Sequence, residues 1–464
     1  DEPKSIGRFC CGVDRRKQKM TGGGKEFQKE LLQIAVPVTL QCLMQSSFSV
    51  VDQIMTGQLG SISIAGIGLG GKFASIYSVV IAAVASVAGI MIAQYIGKED
   101  TKEVGRSVYT NLIVSLILVA IFTLLSMITP VRILGLYTND AVTVQEGVEY
   151  LRIYAISFLP VAVTSILSAY LRCVQAAKIP LYAGIFASVA NTALNYVLIF
   201  GNAGFPAMGV KGAAWASVIA QLSGCIITVI LFFHLYRKHS WKIPFVIRTD
   251  KVHIKQYMAI LMPLLVCEFF WSLGENVYAS IYGHLGTKAF AAMTLTNPLQ
   301  ALVMGALSGV SQTAGVMIGK RLGADDTGSA YEDSKRLMYT GLVCSILLSA
   351  IVVVSHKYYV LIFRVEDDVR QITGYLLIAY AFVAPIKVQN MILGGILRSG
   401  GRTTYVMAVD LIGTWIFGVP LGLFSAFVLR LPITAVYFVL SMEECVRVVV
   451  SLAIFRKKSW MQKL

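Results

Sequence analysis

The stretch VASVAGIMI (residues 84–92) recurs in the second half of the chain as VSQTAGVMI (residues 310–318). At the same offset, GQLG (57–60) aligns with GHLG (283–286), and Pro37 aligns with Pro263. The alignment needs no gap. A long ungapped repeat of this kind indicates that one structural unit is present twice. The sequence therefore predicts two homologous halves.

The composition indicates that both halves are embedded in a lipid bilayer. The 464 residues are 56% hydrophobic and 14% charged, with a mean hydropathy of +0.70, whereas soluble domains carry about 25% charged residues. Apolar runs long enough to cross a bilayer recur, as at 111–130. The net charge of +15 comes from basic residues in the loops, so we expect membrane lipid and no nucleic acid as a partner.

Apolar runs of suitable length predict twelve membrane spans. They are placed at 34–56, 70–96, 108–129, 151–171, 181–201, 212–235, 258–281, 296–319, 338–356, 375–396, 405–427 and 433–455. Most lysines and arginines then lie on the side of the N-terminus. Because cytoplasmic loops are enriched in these residues, both termini are predicted to be cytoplasmic.

The repeat and the spans together predict the domain organisation. We expect an all-α integral membrane protein with twelve transmembrane helices in two parallel six-helix lobes around a central cleft. The predicted segments are a basic tail (1–30), a first lobe (31–235), a cytoplasmic linker (236–257), a second lobe (258–455) and a second basic tail (456–464). Two lobes of this kind are typical of alternating-access carriers.

Several motifs, in their order and spacing, resemble the multidrug and toxic compound extrusion (MATE) family. They are VDQIMTGQLG (51–60), LRCVQAAKIP (171–180), NTALNYVLIFG (191–201), GAAWAS (212–217) and LRSGGRT (397–403). The resemblance extends over nearly the whole chain. It implies a non-enzymatic transporter that exports amphipathic, often cationic compounds, driven by inward proton or sodium flow.

Asp52 stands alone in a nearly uncharged span, where a carboxylate costs about 2.5–3.5 kcal/mol on insertion scales. By helical rise, Asp52 and Asn195 lie about 27 Å and about 21 Å above the inner ends of their spans, and Ser217 about 8 Å below an outer end. Asn191 is one turn from Asn195 on the same helix face. These four residues therefore fall in the outer half of the bilayer at compatible heights.

The resemblance matches Asp52, Asn191, Asn195 and Ser217 to the ion-coupling positions of the family, although Asn195 replaces a residue that is often aspartate. A carboxylate, two amides and a hydroxyl suit either Na⁺ or a proton, and the single carboxylate favours the proton. The alternatives are that the asparagines and the serine only pack helices together, or that Asp52 is solvated near the outer surface. No cofactor other than H⁺ or Na⁺ is expected.

The second lobe contains Glu268 and Lys387 near mid-membrane, about 15 Å and about 18 Å into their spans. Asp410 lies about 8 Å into the eleventh span. Opposite charges at similar depth are expected to pair, so these three residues form a candidate triad. It would be either a second protonatable site or a static salt bridge. Glu444 and Arg447, three residues apart, are expected to form a local ion pair.

Aromatic and methionine side chains are candidates for the lining of a substrate cleft, because aromatic faces attract organic cations and methionine adapts to many shapes. Such residues are also common in ordinary helix packing. The candidates are Met44, Phe48, Tyr77, Phe269, Trp271, Tyr278 and Met293.

The sequence thus predicts a cation-coupled antiporter for small amphipathic or cationic molecules, monomeric and located in the inner (plasma) membrane. The alternative within the same superfamily is a flippase for a lipid-linked precursor, which would need a more basic cleft. An enzyme is disfavoured because all five histidines lie at span ends or in loops.

Overall fold

In a computed structural model of the chain, the residues described are 23–138, 140–202, 204–238, 251–361, 363 and 365–464. Most of the predicted N-terminal tail and part of the predicted linker lie outside these ranges. Every regular element in the described part of the chain is helical. The chain divides into two compact units, Asp1–Lys251 and Val252–Leu464, with the division inside the predicted linker 236–257.

The described part of the first unit contains six long helices. They are α1 (Gly23–Thr56), α2 (Ser61–Gly97), α3 (Thr101–Ile128), α4 (Ala141–Cys173), α5 (Lys178–Phe200) and α6 (Gly209–Lys238). A short helix, Pro130–Gly135, precedes α4. One 3-10 turn, Ala155–Ser157, interrupts α4.

The second unit repeats this order. Its helices are α7 (Lys251–His284), α8 (Thr287–Gly323), α9 (Thr327–Leu361), α10 (Asp367–Ser399), α11 (Thr403–Val428), α12a (Ile433–Ser441) and α12b (Glu443–Lys457). Two segments of α11, Ile412–Gly418 and Phe424–Val428, are wound as π-helix.

Eleven of the described helices are long and apolar enough to cross a membrane. They correspond to the first eleven predicted spans, and several extend beyond the predicted ends. The predicted twelfth span (433–455) is helical but broken at Met442 into α12a and α12b. Neither piece alone is long enough to cross a bilayer. The first two turns of α12b contain the charged residues Glu443, Glu444 and Arg447. These charges therefore lie directly after the interruption of the helix.

The distribution of polarity is that of a protein surrounded by lipid. Large apolar side chains are exposed on the outer faces of helices, such as Ile128 (73%) and Val354 (75%). Polar side chains such as Asn111, Asn195 and Thr313 are fully buried between helices. Because lipid is as apolar as leucine, polar side chains are better placed against other helices than against the bilayer.

The repeat seen in the sequence is also present in the backbone. The helices α2 and α8 each contain 37 residues. Gly60 and Gly286, which precede them, have φ angles of +93° and +117°, a conformation that favours glycine. The connections that follow contain left-handed residues at equivalent positions, Glu99 and Asp325. The two halves therefore share the length of this helix and the turns on either side of it.

Helices α5 and α6 approach each other closely because glycine faces the contact. A Cβ atom at Gly212 on α6 would collide with the carbonyl oxygen of Leu198 on α5. Farther along the same pair, a Cβ atom at Gly224 would lie 3.0 Å from the Cβ of Ala187. Small residues at such contacts allow helix backbones to approach in membranes. Helix α5 also packs against α1, so this contact positions three helices.

We expect Gly212→Val to separate α5 from α6 and to lower stability by about 1–3 kcal/mol, as overpacking does elsewhere. The measurement is the thermal unfolding midpoint of the purified protein in detergent. Gly68→Val is the matched control, because Gly68 is exposed and a Cβ atom there meets no atom within 4 Å. Equal midpoints for the two variants would contradict the close contact.

Candidate functional site

Asp52 lies in the last turns of α1, just before that helix ends at Thr56. It is half-buried. The Thr56 hydroxyl donates to the backbone carbonyl oxygen of Asp52 at 2.9 Å, within the last turn of the helix. The carboxylate itself is directed to α5, where it meets the amide of Asn195.

The four residues predicted for ion coupling are brought together in one hydrogen-bonded chain. The Nδ2 of Asn195 donates to Asp52 Oδ1 at 2.5 Å and to Asn191 Oδ1 at 3.3 Å. The Nδ2 of Asn191 then donates to Ser217 Oγ at 3.4 Å. The chain runs from α1 across α5 to α6. The placement predicted from helical rise therefore agrees with the observed contacts, and the role of these residues in ion coupling stays a prediction.

One acceptor in this chain has no partner. Asn195 is fully buried, and its Oδ1 makes no hydrogen bond. A buried polar atom without a partner costs free energy. The Asn195 Oδ1 can therefore accept one further hydrogen bond or coordinate a cation. No group of three or more His, Cys, Asp or Glu side chains is arranged as a metal site in the described ranges. A cation at Asp52 would therefore depend on one carboxylate and neutral oxygens.

Two tyrosines of α4, which were not predicted as site residues, also lie near Asp52. The rings of Tyr150 and Tyr154 are stacked, with centroids 5.4 Å apart. Both phenols lie within electrostatic range of the Asp52 carboxylate. Their spacing of four residues places them on one helix face, and that spacing was the available indication in the sequence. They add phenol hydroxyl groups to the polar surroundings of Asp52.

The pairing predicted between Glu268 and Lys387 is not observed. Both residues lie in the described part of the chain, and no ion pair joins them there. Asp410 instead pairs with Arg447 of α12b, at 3.7 Å between Oδ1 and NH1, and its Oδ2 accepts a hydrogen bond from the Cys267 thiol at 2.9 Å. The prediction that Glu268, Lys387 and Asp410 form a direct triad is therefore wrong.

The observed group in the second unit is an Arg447 cluster, which consists of Arg447, Asp410, Glu443, Glu444 and Thr414. The NH2 of Arg447 donates to Glu443 Oε1 at 3.2 Å and to the Thr414 hydroxyl. Its NH1 lies 3.9 Å from Glu444 Oε1. The predicted local pair of Glu444 and Arg447 is thus present, and it is one part of a larger cluster. The Arg447 side chain is only 5% exposed.

The physical reason for the difference lies in the shape of α11 and α12b. Glycines of the π-helical segment of α11 face α12b, and a Cβ atom at Gly413 would overlap the Arg447 side chain. This close approach brings Asp410 of α11 to the guanidinium. Depth along ideal helices, which predicted the triad, contains no information about which helix faces meet.

Two of the predicted cleft residues are core residues. Tyr77 is 1% exposed, stacks on Phe158 with centroids 4.1 Å apart and donates to the Phe158 carbonyl oxygen at 2.6 Å. Tyr278 is 6% exposed, and its hydroxyl donates to Glu443 Oε2. The prediction that these two tyrosines line a cleft is therefore wrong.

The other predicted cleft residues are more accessible. Phe269 is 63% and Trp271 45% exposed. Met44 and Phe48 on α1 are half-buried. Met293 is also partly buried and packs against the apolar core of the second unit. Their role in substrate binding stays a prediction.

Known proteins resemble this chain in sequence and in fold. A family model described as MatE matches it twice, over residues 37–197 and 263–424. The uncharacterized transporter YisQ of Bacillus subtilis is 22% identical over 438 residues, which cover 93% of this chain and 95% of that protein. The probable multidrug resistance protein NorM of Thermotoga maritima is 22% identical over 399 residues, which cover 86% of this chain and 85% of that protein.

Solved structures share the architecture. A crystal structure of MATE in the straight conformation has a TM-score of 0.87 at 15% identity, covering 99% of this chain and 98% of that one. This likeness confirms the predicted all-α, multi-pass membrane fold. The two matches to the family model begin at Pro37 and Pro263, the prolines that align in the sequence repeat. Because the family model matches both halves of the chain, the protein belongs to the MATE family of membrane transporters, which are not enzymes.

Proposed function

We propose that the protein is a cation-coupled antiporter that exports amphipathic, mainly cationic drugs or toxic metabolites by alternating access. The observation that carries this proposal is the hydrogen-bonded chain from Asp52 through Asn195 and Asn191 to Ser217. It joins one carboxyl group to neutral partners, on helices that are long and apolar enough to cross a membrane. Relatives named as probable multidrug resistance proteins support the substrate class.

The coupling ion in this proposal is a proton or Na⁺, and the site favours the proton. Asp52 is the one carboxylate among the four residues, and the other groups are amides and a hydroxyl. A protonated carboxyl group can donate to the unpartnered Oδ1 of Asn195 after that amide rotates. Ion binding would then change which hydrogen bonds join α1 to α5. Coupling follows when ion and substrate stabilise different conformations.

We further propose that the protein is a monomer in the plasma membrane with both termini in the cytoplasm. The excess of lysine and arginine in the connections on the side of the N-terminus supports this orientation. For example, Lys98, Lys102 and Arg106 follow α2, and Lys320 and Arg321 end α8.

Asp52→Asn should abolish gradient-driven efflux, because an amide can neither take up a proton nor balance a sodium ion. The measurement is efflux of an ethidium-like cationic dye from proteoliposomes, with proton and sodium gradients imposed separately. Wild-type protein should follow one gradient, and that gradient identifies the ion. Efflux at the wild-type rate from the variant would disprove coupling through Asp52. Absence of dye efflux from both proteins would favour the lipid-precursor flippase.

Asn195→Asp should extend proton-driven efflux to more alkaline pH, by about one pH unit or more. Two carboxyl groups in contact hold a shared proton more strongly than one alone. The measurement is the initial rate of dye efflux as a function of pH. Asn202→Asp is the control, since Asn202 lies after α5 and bonds to the Tyr196 carbonyl oxygen. A sodium-coupled site would instead gain sodium affinity without this change in the pH profile.

A further inference from the structure

A cavity in the second unit is bordered by charged side chains of both signs. Its volume is about 290 Å³, close to the lower end of the range for small-molecule pockets. Helices α7, α8, α10, α11 and α12b all contribute to its lining, and its charged residues are Glu268, Arg398, Asp410 and Arg447. Two carboxylates and two guanidinium groups therefore border one polar cavity.

Two of these four charges are already paired. Asp410 and Arg447 form an ion pair with each other, and Arg447 also contacts Glu443 of its own helix. Asp410 accepts a further hydrogen bond from the Cys267 thiol. Asp410 and Arg447 are thus satisfied by protein groups, and they need no ligand.

The other two charges, Arg398 and Glu268, lack such partners. Among the residues that the structure describes, neither side chain forms an ion pair or a hydrogen bond, and the Nε atom of Arg398 is buried. The two side chains lie within electrostatic range of each other without forming an ion pair. Because unpaired charges inside a membrane are costly, the contents of the cavity have to stabilise both groups.

The signs of these two charges restrict the class of ligand. A cation would pair with Glu268 and be repelled by Arg398, and an anion would pair with Arg398 and be repelled by Glu268. Water can form hydrogen bonds to both groups, but it neutralises neither. A molecule with one carboxylate and one ammonium group matches both, and a carboxylate fits the planar fork of a guanidinium.

Glycine keeps this cavity open. A Cβ atom at Gly395 of α10 would lie 2.6 Å from the Ser311 carbonyl oxygen of α8, so Gly395 is needed for helix contact. The neighbouring Gly394 borders the cavity, and a Cβ atom there would meet no atom within 4 Å. Trp271 also borders the cavity. Its ring offers an aromatic surface to the apolar part of a ligand.

We propose that this cavity binds a small zwitterion, whose carboxylate pairs with Arg398 and whose ammonium group pairs with Glu268. Trp271 packs against the apolar part of the molecule. This ligand class differs from the cationic compounds of the function proposed above. The site contains none of the residues proposed for ion coupling, and equilibrium binding to it does not depend on the role of Asp52.

The experiment measures equilibrium binding by fluorine NMR line broadening, with full-length protein in lipid nanodiscs and no ion gradient. Three probes share one aromatic ring and differ in charge. They are para-fluorophenylalanine, which is a zwitterion, para-fluorophenethylamine, which is a cation, and para-fluorophenylpropionate, which is an anion. Empty nanodiscs correct for partition of each probe into lipid.

We expect the wild-type protein to bind the zwitterion at least about tenfold more tightly than either singly charged probe, because only the zwitterion pairs with both side chains. Arg398→Gln should weaken binding of the zwitterion and of the anion by about tenfold or more, without weakening binding of the cation. Glu268→Gln should weaken binding of the zwitterion and of the cation, without weakening binding of the anion. A purely structural role of Arg398 would not produce this dependence on probe charge.

A variant that fills the cavity tests its position. Gly394→Leu should abolish binding of all three probes, because the leucine side chain would occupy the open space beside α10. Gly283→Leu is the matched control. Gly283 is exposed near the end of α7, does not border the cavity and also has open space around its Cβ position.

Three results would overturn the proposal. They are wild-type affinity for the zwitterion no greater than for the cation, unchanged zwitterion affinity in Arg398→Gln, and unchanged binding in Gly394→Leu. Absence of zwitterion binding to the wild-type protein gives the first of these results and assigns the cavity to water. Folding of each variant is checked by size-exclusion chromatography. If Arg398→Gln does not fold, the wild-type comparison of probes and Gly394→Leu decide.

Discussion

The cost of an unpaired polar or charged group in hydrocarbon is the constraint on which this structure depends. It forces the backbone into helices, whose polar groups are satisfied within each segment. It also requires that each buried ionisable side chain has partners on neighbouring helices. Asp52 meets this requirement through the Asn195 amide, and Asp410 meets it through Arg447 and a thiol.

The two units surround their buried carboxylates with different partners, although their backbones repeat. In the first unit, a single carboxylate is surrounded by neutral amides and a hydroxyl, and no basic group is paired with it in the described ranges. In the second unit, several carboxylates are arranged around one guanidinium. A duplicated scaffold has therefore acquired two different polar sites, because the scaffold constrains helix positions and leaves side-chain chemistry free.

Glycines at helix contacts allow the close approach on which both sites depend. Gly212 lets α6 approach α5, which brings Ser217 within reach of Asn191. Gly413 and Gly418 let α11 approach α12b, where a Cβ atom would overlap Arg447 or Glu443. Close helix contact is needed because the hydrogen bonds concerned are formed by short side chains. Larger residues at these positions would separate the buried polar side chains from their hydrogen-bond and ion-pair partners.

The sequence by itself determined the membrane fold, the duplicated halves and the group of four residues that contains Asp52. These features depend on hydropathy, on a repeat and on depth along a helix, all of which are properties of the chain in one dimension. The tertiary structure decided that Asp410 pairs with Arg447 and not with Lys387, and that Tyr77 and Tyr278 are buried. Those outcomes depend on helix rotation, on the π-helical turns of α11 and on the break at Met442. Helix rotation is set by packing between segments distant in sequence, so depth alone could not predict which side chains would meet.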